Sequence, residues 1–377
     1  MILNAISAPR IFDGRQYHSN SALLWRDNHI EAIVPLEELS SEIPVQHFSD
    51  SIICPGFIDI QVNGGGGVMF NNNTTPAAMQ TITEAHRKHG TAYLLPTLIS
   101  ATPTKISEAL LACQQALNDR LPGVLGIHLE GPWLNPAKKG AHDSALFYSP
   151  SLESLQQLPW PDKGQLLITC ATERVDVGAL SWLEAKGATI SCGHSNATFE
   201  QLPAEKLKHI DGFTHLFNAM SPLEGRAPGA VGTALLTDHA WCSIITDGIH
   251  VHPQSVLLAN RIKPKGKLLI VTDAMGSVGG ANDQFKLDGE VISVVNGKLV
   301  NQEGALAGAH IGMDESVANA IQWGIDEAEV LKMASTYPAQ ALKCEQLGYL
   351  RPGFKAAATV LSNEYQSRAV LVDGKLY

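Results

Sequence analysis

Four residues of this 377-residue chain have types and settings that could do chemistry together. Glu130 lies in Gly126-Ile-His-Leu-Glu-Gly-Pro132, His194 in Cys192-Gly-His-Ser-Asn196, and His215 in Thr214-His-Leu-Phe-Asn218. Two imidazoles and a carboxylate make a nitrogen and oxygen ligand set for Zn²⁺ or another divalent first-row ion, with positions left for water and substrate. Taken singly, each histidine reads as a hydrogen-bonded structural residue; their shared placement at strand ends favours ligation. Asp273, in Leu269-Ile-Val-Thr-Asp-Ala-Met275, ends an apolar run that delivers one carboxylate to the same region. A helix cap or an arginine partner is the plain alternative for such an aspartate. The chemical reading is general base, then general acid: it takes a proton from a metal-activated water attacking an amide carbonyl and returns it to the departing amine.

These residues need elements that bring them together. Between two terminal stretches the chain alternates short apolar runs with helical patterns of ten to fifteen residues, the signature of βα units and a parallel sheet. Eight runs read as strands: 52–62, 92–99, 124–129, 165–171, 189–192, 212–216, 241–245 and 267–271. Helices are expected at 76–89, 105–118, 180–186 and 253–262. Polar, metal-capable or proton-transferring side chains fall at strand ends throughout: Gln61 and Asn63, Thr97, Glu130, Glu173, His194, His215, Asp247 with His250, and Asp273. A (β/α)₈ barrel collects its site at that face, whereas a doubly wound sheet needs such residues only at its switch point. Residues 1–53 and 357–377 have the short alternating texture of antiparallel strands. The expected organisation is α/β: a barrel over 54–356 and a small β-sandwich domain formed by 1–53 with 357–377.

Other chemistries fit less well. Asn63-Gly-Gly-Gly-Gly67 follows a strand but lacks the Lys-Ser/Thr of a phosphate-binding P-loop, and the acidic residue about 20 positions on is only Glu84, within a helix. Ser195 has no G-x-S-x-G setting. Six cysteines without a C-x-x-C pair suggest reduced core thiols rather than disulfides or a thiolate zinc site. A formal net charge of −10 without a basic cluster excludes a nucleic-acid or anionic-membrane partner. With no apolar run of membrane length and no basic-then-apolar leader, the cytoplasm is the expected compartment.

The segments Pro55-Gly-Phe-Ile-Asp-Ile-Gln-Val-Asn-Gly64, His128-Leu-Glu-Gly-Pro-Trp-Leu-Asn135, Gly193-His-Ser-Asn-Ala-Thr198, Thr214-His-Leu-Phe-Asn-Ala-Met220, Thr246-Asp-Gly-Ile-His250 and Thr272-Asp-Ala-Met275 follow one another in the chain. Together they resemble the N-acetylglucosamine-6-phosphate deacetylase family of amidohydrolases, from about residue 52 to the C-terminus. The resemblance implies hydrolysis of N-acetylglucosamine 6-phosphate, with Glu130, His194 and His215 as metal ligands and Asp273 as the acid/base. It implies that His142 helps place the substrate. Asn218, Ala219, Arg226, His250 and the loop Leu306-Ala307-Gly308 would line the sugar-phosphate pocket, with Ala141 contributing backbone. Arg226 offers a fork of donors to phosphate; a surface salt bridge is its plainer alternative. Phosphate ligands shared across a subunit interface in some relatives imply a homodimer.

One departure stands out. Many amidohydrolases carry His-x-His at the end of the first barrel strand, where this chain has Gln61 and Asn63. Neutral amides are poor ligands beside imidazole, so one divalent ion per chain is expected, zinc first and iron or another ion next. Gln61 would then bond the metal's water or a neighbour. Two readings compete: a different amidohydrolase, acting on a cyclic amide or an N-acetylated amino acid, and a catalytically silent scaffold.

Overall fold

The computed structural model describes residues 3–282, 284–287, 289–300 and 306–377. Eight parallel strands follow chain order around a barrel: Phe57–Val62, Thr91–Ile99, Gly126–Glu130, Gln165–Cys170, Thr189–Cys192, Gly212–Phe213, Trp241–Ile244 and Leu268–Ile270. Their residues are almost wholly buried, as expected for strands packed between a filled interior and a helical shell. The regular ladder runs from the first strand to the eighth. Between eighth and first, a single bridge from Val62 to Ala274 and two neighbouring bonds, Asp273 N–H to Gln61 C=O (3.0 Å) and Asn63 N–H to Ala274 C=O (2.8 Å), draw the seam together.

The helices start where side-chain chemistry says they should. Thr75 and Thr102 accept bonds from Ala78 N–H and Lys105 N–H, and Pro76 and Pro103 fill the first helical position, opening Pro76–Arg87 and Pro103–Asn118. Strands from both termini form one eight-stranded, mostly antiparallel sheet. Its joint is Ser51–Pro55, parallel to Leu3–Phe12 and antiparallel to Ala358–Ser362. Ile6, Ile11, Leu23, Trp25, Ile53, Val360 and Leu371 form its core, each side chain stabilising the fold by roughly 1.5–3 kcal/mol on burial.

Two features differ from the sequence reading. The run 52–62 is two strands, one in the terminal sheet and one in the barrel, because the chain breaks at Gly56, where a Cβ would stand 2.7 Å from the Ala92 Cβ. An uninterrupted apolar run hides such a break. The second is a three-stranded antiparallel sheet, Gln284–Leu287, Glu290–Val295 and Lys298–Val300, inserted after the eighth strand. Phe285, Leu287, Ile292 and Leu299 pack against Met69, Ile99, Met275 and Ala307, so this flap covers part of the barrel mouth.

Candidate metal centre and active site

The third, fifth and sixth barrel strands end at Glu130, His194 and His215, and parallel register puts those ends at one level. Glu130 Oε1 lies 3.2 Å from His194 Nε2 and 2.9 Å from His215 Nε2, and the two ring nitrogens are 3.1 Å apart. Donor atoms each about 2.1 Å from one ion fall roughly 3.0–3.4 Å from each other, so this spacing suits a single ion. All three side chains are buried, and among the described residues they are the group that could hold a metal.

Electrostatics agrees. Burial alone would raise the Glu130 carboxyl, but bonds from His194 and His215 outweigh it and hold it well below the usual range. Burial would lower His215, and the bond and charge of Glu130 reverse that and raise it. An ionised carboxylate in a centre that favours positive charge fits a cation. His194 Nδ1 bonds the Lys138 carbonyl at 2.7 Å, which orients the ring so that Nε2 faces Glu130 and His215. Glu130 Oε2 and His215 Nδ1 are buried without a protein partner.

Backbone conformation sharpens the placement. His194 (φ 48°), His215 (φ 37°) and Asp273 (φ 54°) all lie in the left-handed region, which costs a non-glycine residue about 1–3 kcal/mol. The surroundings hold them there: Asn135 N–H bonds the His194 carbonyl at 3.0 Å, and His215 N–H bonds Ser243 Oγ at 2.8 Å. Glu173 supports the loop from outside, accepting from Ser195 Oγ (2.8 Å), Asn135 Nδ2 (2.9 Å) and Asn196 N–H (3.0 Å). It is a strut, although it ends a strand as the chemical residues do.

Asp273 completes the centre. Its Oδ1 accepts from Asn63 Nδ2 at 2.7 Å and from Gln61 Nε2 at 3.1 Å, and the same Gln61 nitrogen is 3.0 Å from Glu130 Oε1. Gln61 therefore turns its NH₂ between two carboxylates. Burial, then the nearby Glu130 charge, push the Asp273 carboxyl up to about 6. A carboxylate of that basicity exchanges protons near neutral pH.

These residues open onto a cavity of about 180 Å³, lined also by Ala141, His142, Asn218, Ala219, His250, Leu306 and Gly308. So small a space takes one small polar molecule rather than a polymer. His142 Nδ1 accepts from Ser100 Oγ (2.8 Å) and N–H (3.3 Å), and burial, followed by the His194 charge, lowers its pKa to about 3. It is a neutral ring whose Nε2 carries the proton. His250 is different: burial disfavours its charge, but the bond to Asp247 at 2.5 Å prevails and raises its pKa.

The amidohydrolase family matches residues 183–377, a segment holding His194, His215 and Asp273. N-acetylgalactosamine-6-phosphate deacetylase of Shewanella sp. (strain ANA-3) is 37% identical, over 90% of this chain and 86% of the relative. N-acetylglucosamine-6-phosphate deacetylase of Haemophilus influenzae is 35% identical over 94% of each. The chain belongs to the amidohydrolase family. Among solved structures, N-acetylglucosamine-6-phosphate deacetylase from Pasteurella multocida superposes with a TM-score of 0.92 at 32% identity, covering 100% of both chains.

In this amidohydrolase the structure gathers most of the residues read from sequence around one point. Glu130, His194, His215, Asp273 and Gln61 are in contact, and Ala141, His142, Asn218, Ala219, His250, Leu306 and Gly308 line the same cavity. Ala307 is buried and turned toward the adjoining cleft between the flap and the 139–143 loop. Arg226 is not gathered: it is exposed and lines a separate cavity with Asn196, Phe199 and Ser221. Its loop after the sixth strand carries it away from its own chain's centre. Ile99, Gly140 and Met275 line the pocket unanticipated, since apolar residues and glycine carry no chemical signal.

Proposed function

We propose that this metal-dependent hydrolase removes the acetyl group from N-acetylglucosamine 6-phosphate, yielding acetate and glucosamine 6-phosphate. The observation that carries the reading is the convergence of Glu130, His194, His215 and Asp273 on one small cavity, in a chain 35% identical to a deacetylase of that substrate. Glu130, His194 and His215 would hold one divalent ion, with zinc the first choice and iron the next. When bound, the ion activates water as a nucleophile and polarises the amide carbonyl.

The remaining work falls to the chain's own groups. Asp273 Oδ1 takes the proton as water adds to the acetyl carbon, then delivers it to the amide nitrogen as the C–N bond breaks, so the products are acetate and a free amine. Gln61 and Asn63 hold that carboxylate by donating to it. Because Gln61 offers NH₂ to both carboxylates, the space between them is occupied by a donor and suits one ion rather than two. His142 places the acetamide, while Asn218, Ala219, His250 and the 306–308 loop receive the sugar and its phosphate.

The position of Arg226 supports a homodimer. Outside its own pocket, flanked by Phe199 (42% exposed) and Leu223 (52% exposed), it is suited to complete the phosphate site of a neighbouring copy. We assign 1–53 and 357–377 to the terminal unit and 54–356 to the catalytic one. The cytoplasm fits a phosphorylated sugar substrate and free cysteines, five of the six buried.

A second reading has its own support. The 37% identical relative is named for the galactosamine epimer, which differs from the glucosamine substrate only at C4. Acetate release from the two phosphates, beside unphosphorylated N-acetylglucosamine, decides between them. Preference for N-acetylglucosamine 6-phosphate supports the proposal, preference for its epimer favours the second reading, and equal rates without phosphate sink both.

A further inference from the structure

The barrel's weakest ladder joins its eighth strand to its first, and Asp273 and Gln61 sit on either side of that seam. Below them, fully buried, is Asp59 of the first strand. Its Oδ1 accepts from Gln61 N–H and Thr272 N–H, each at 3.3 Å, and its Oδ2 accepts from Thr272 Oγ1 at 2.5 Å. The Thr272 hydroxyl in turn accepts from Ala274 N–H at 3.2 Å. One carboxylate thus fastens the backbone before Asp273, reaches the backbone after it through Thr272, and holds the strand that carries Gln61. Burial is the main influence on this carboxyl and pushes it up to about 7, against those bonds. An ionisable group is costly to keep in so dry a place.

We propose that Asp59, acting through Thr272, is the positioning residue that sets Asp273 in its left-handed backbone conformation and aims its carboxylate at the reacting amide. The assignment rests on the deacetylase reading above. Asp enters the left-handed region more readily than most residues, yet φ 54° at Asp273 still has to be held by its surroundings. The conformation persists because bonds on both sides leave no alternative: Asp273 N–H to Gln61 C=O (3.0 Å), Ala309 N–H to Asp273 C=O (3.1 Å), and the Asp59–Thr272 pair between them. Asn in place of Asp59 keeps the shape but turns one acceptor into a donor. That donor faces either Thr272 N–H or the Thr272 hydroxyl, whose own proton then loses its acceptor, so the strap loosens.

The test is a double-mutant cycle with Asp59→Asn, Thr272→Val and both together, and with Thr272→Ser as the conservative variant. Each protein is measured for kcat and KM on N-acetylglucosamine 6-phosphate, bound metal per chain, and thermal midpoint. A reacting group moved by about 1 Å loses on the order of 100-fold in rate. Asp59→Asn and Thr272→Val should therefore each lower kcat by roughly 10- to 100-fold, with KM and metal content close to wild type. The double variant should be no slower than the slower single, since both break one strap. Thr272→Ser, retaining the hydroxyl, should restore most of kcat. Wild-type kcat in Asp59→Asn overturns the proposal, as do losses that only track missing metal or unfolded protein, and as do losses that multiply in the double variant. Failure of the substrate reading looks different: the wild-type enzyme itself releases no acetate. The same proteins are then compared on the amide it does hydrolyse, where the same pattern is expected.

Discussion

The two ends of the candidate pocket are built on different principles. At the metal end, Glu130, His194, His215 and Asp273 stand at the ends of the third, fifth, sixth and eighth barrel strands, with Glu130 Oε1 and the two histidine Nε2 atoms 2.9–3.2 Å from one another and Gln61 linking Glu130 to Asp273. At the end we propose for the sugar phosphate, Asn218, Ala219, His250, Leu306 and Gly308 stand on connections, and Arg226 lines a separate cavity. Regular structure fixes the chemistry; loops, and by our proposal a second subunit, supply recognition. Damage to the first end should abolish turnover on any amide. Damage to the second should change which amide is accepted.

The largest effect should come from the ion. Chelation should reduce acetate release to background, and one equivalent of a divalent metal per chain should restore it; activity that survives with no bound metal would dissolve the distinction between the ends. Next, Asp273→Asn should retain metal and fold while losing roughly 10²–10⁴ in kcat, the usual size of a proton-transfer contribution. Wild-type turnover in that variant removes Asp273 from the mechanism. Arg226→Ala removes charge-assisted bonds worth about 1.5–3 kcal/mol, so kcat/KM for the phosphorylated substrate should fall roughly tenfold to a hundredfold. The unphosphorylated sugar should be unaffected, and equal losses on both would place Arg226 outside recognition. The smallest change is with pH. Asp273 must be ionised to accept a proton, and its carboxyl is raised to about 6 by burial, with Glu130 adding to the effect. Activity should therefore fall tenfold per unit as pH drops below that value; a bound cation favours the ionised form and moves the limb lower, never higher. A limb well above pH 6 would point to another base.

The metal end was also the more legible in sequence. Parallel strands buried on both faces read as continuous apolar runs, and a lone Glu, His or Asp at the end of such a run has few other reasons to be there. Hence Glu130, His194, His215 and Asp273, which the fold brings together, could be picked out as candidates from the sequence. Glu173 shows the limit of that logic, since the same position can carry a strut. Asp59 was hidden because a polar residue inside an apolar run imitates ordinary alternation. The flap strands Gln284–Leu287, Glu290–Val295 and Lys298–Val300 went unread: the short alternation of Phe285 and Leu287 with Gln284 and Lys286 follows the eighth barrel run, and nothing in it says what it covers. Arg226 was named as a phosphate donor, yet its loop carries it out of the pocket of its own chain, along a path set by tertiary packing that no local pattern records.

The central claim is that one metal centre and Asp273 deacetylate a phosphorylated amino sugar. It is tested most directly by acetate release from N-acetylglucosamine 6-phosphate and from N-acetylglucosamine as metal-free protein is titrated with a divalent ion. The account predicts activity that saturates at one ion per chain and strongly favours the phosphate ester. A requirement for two ions, or equal rates on the two sugars, would contradict it.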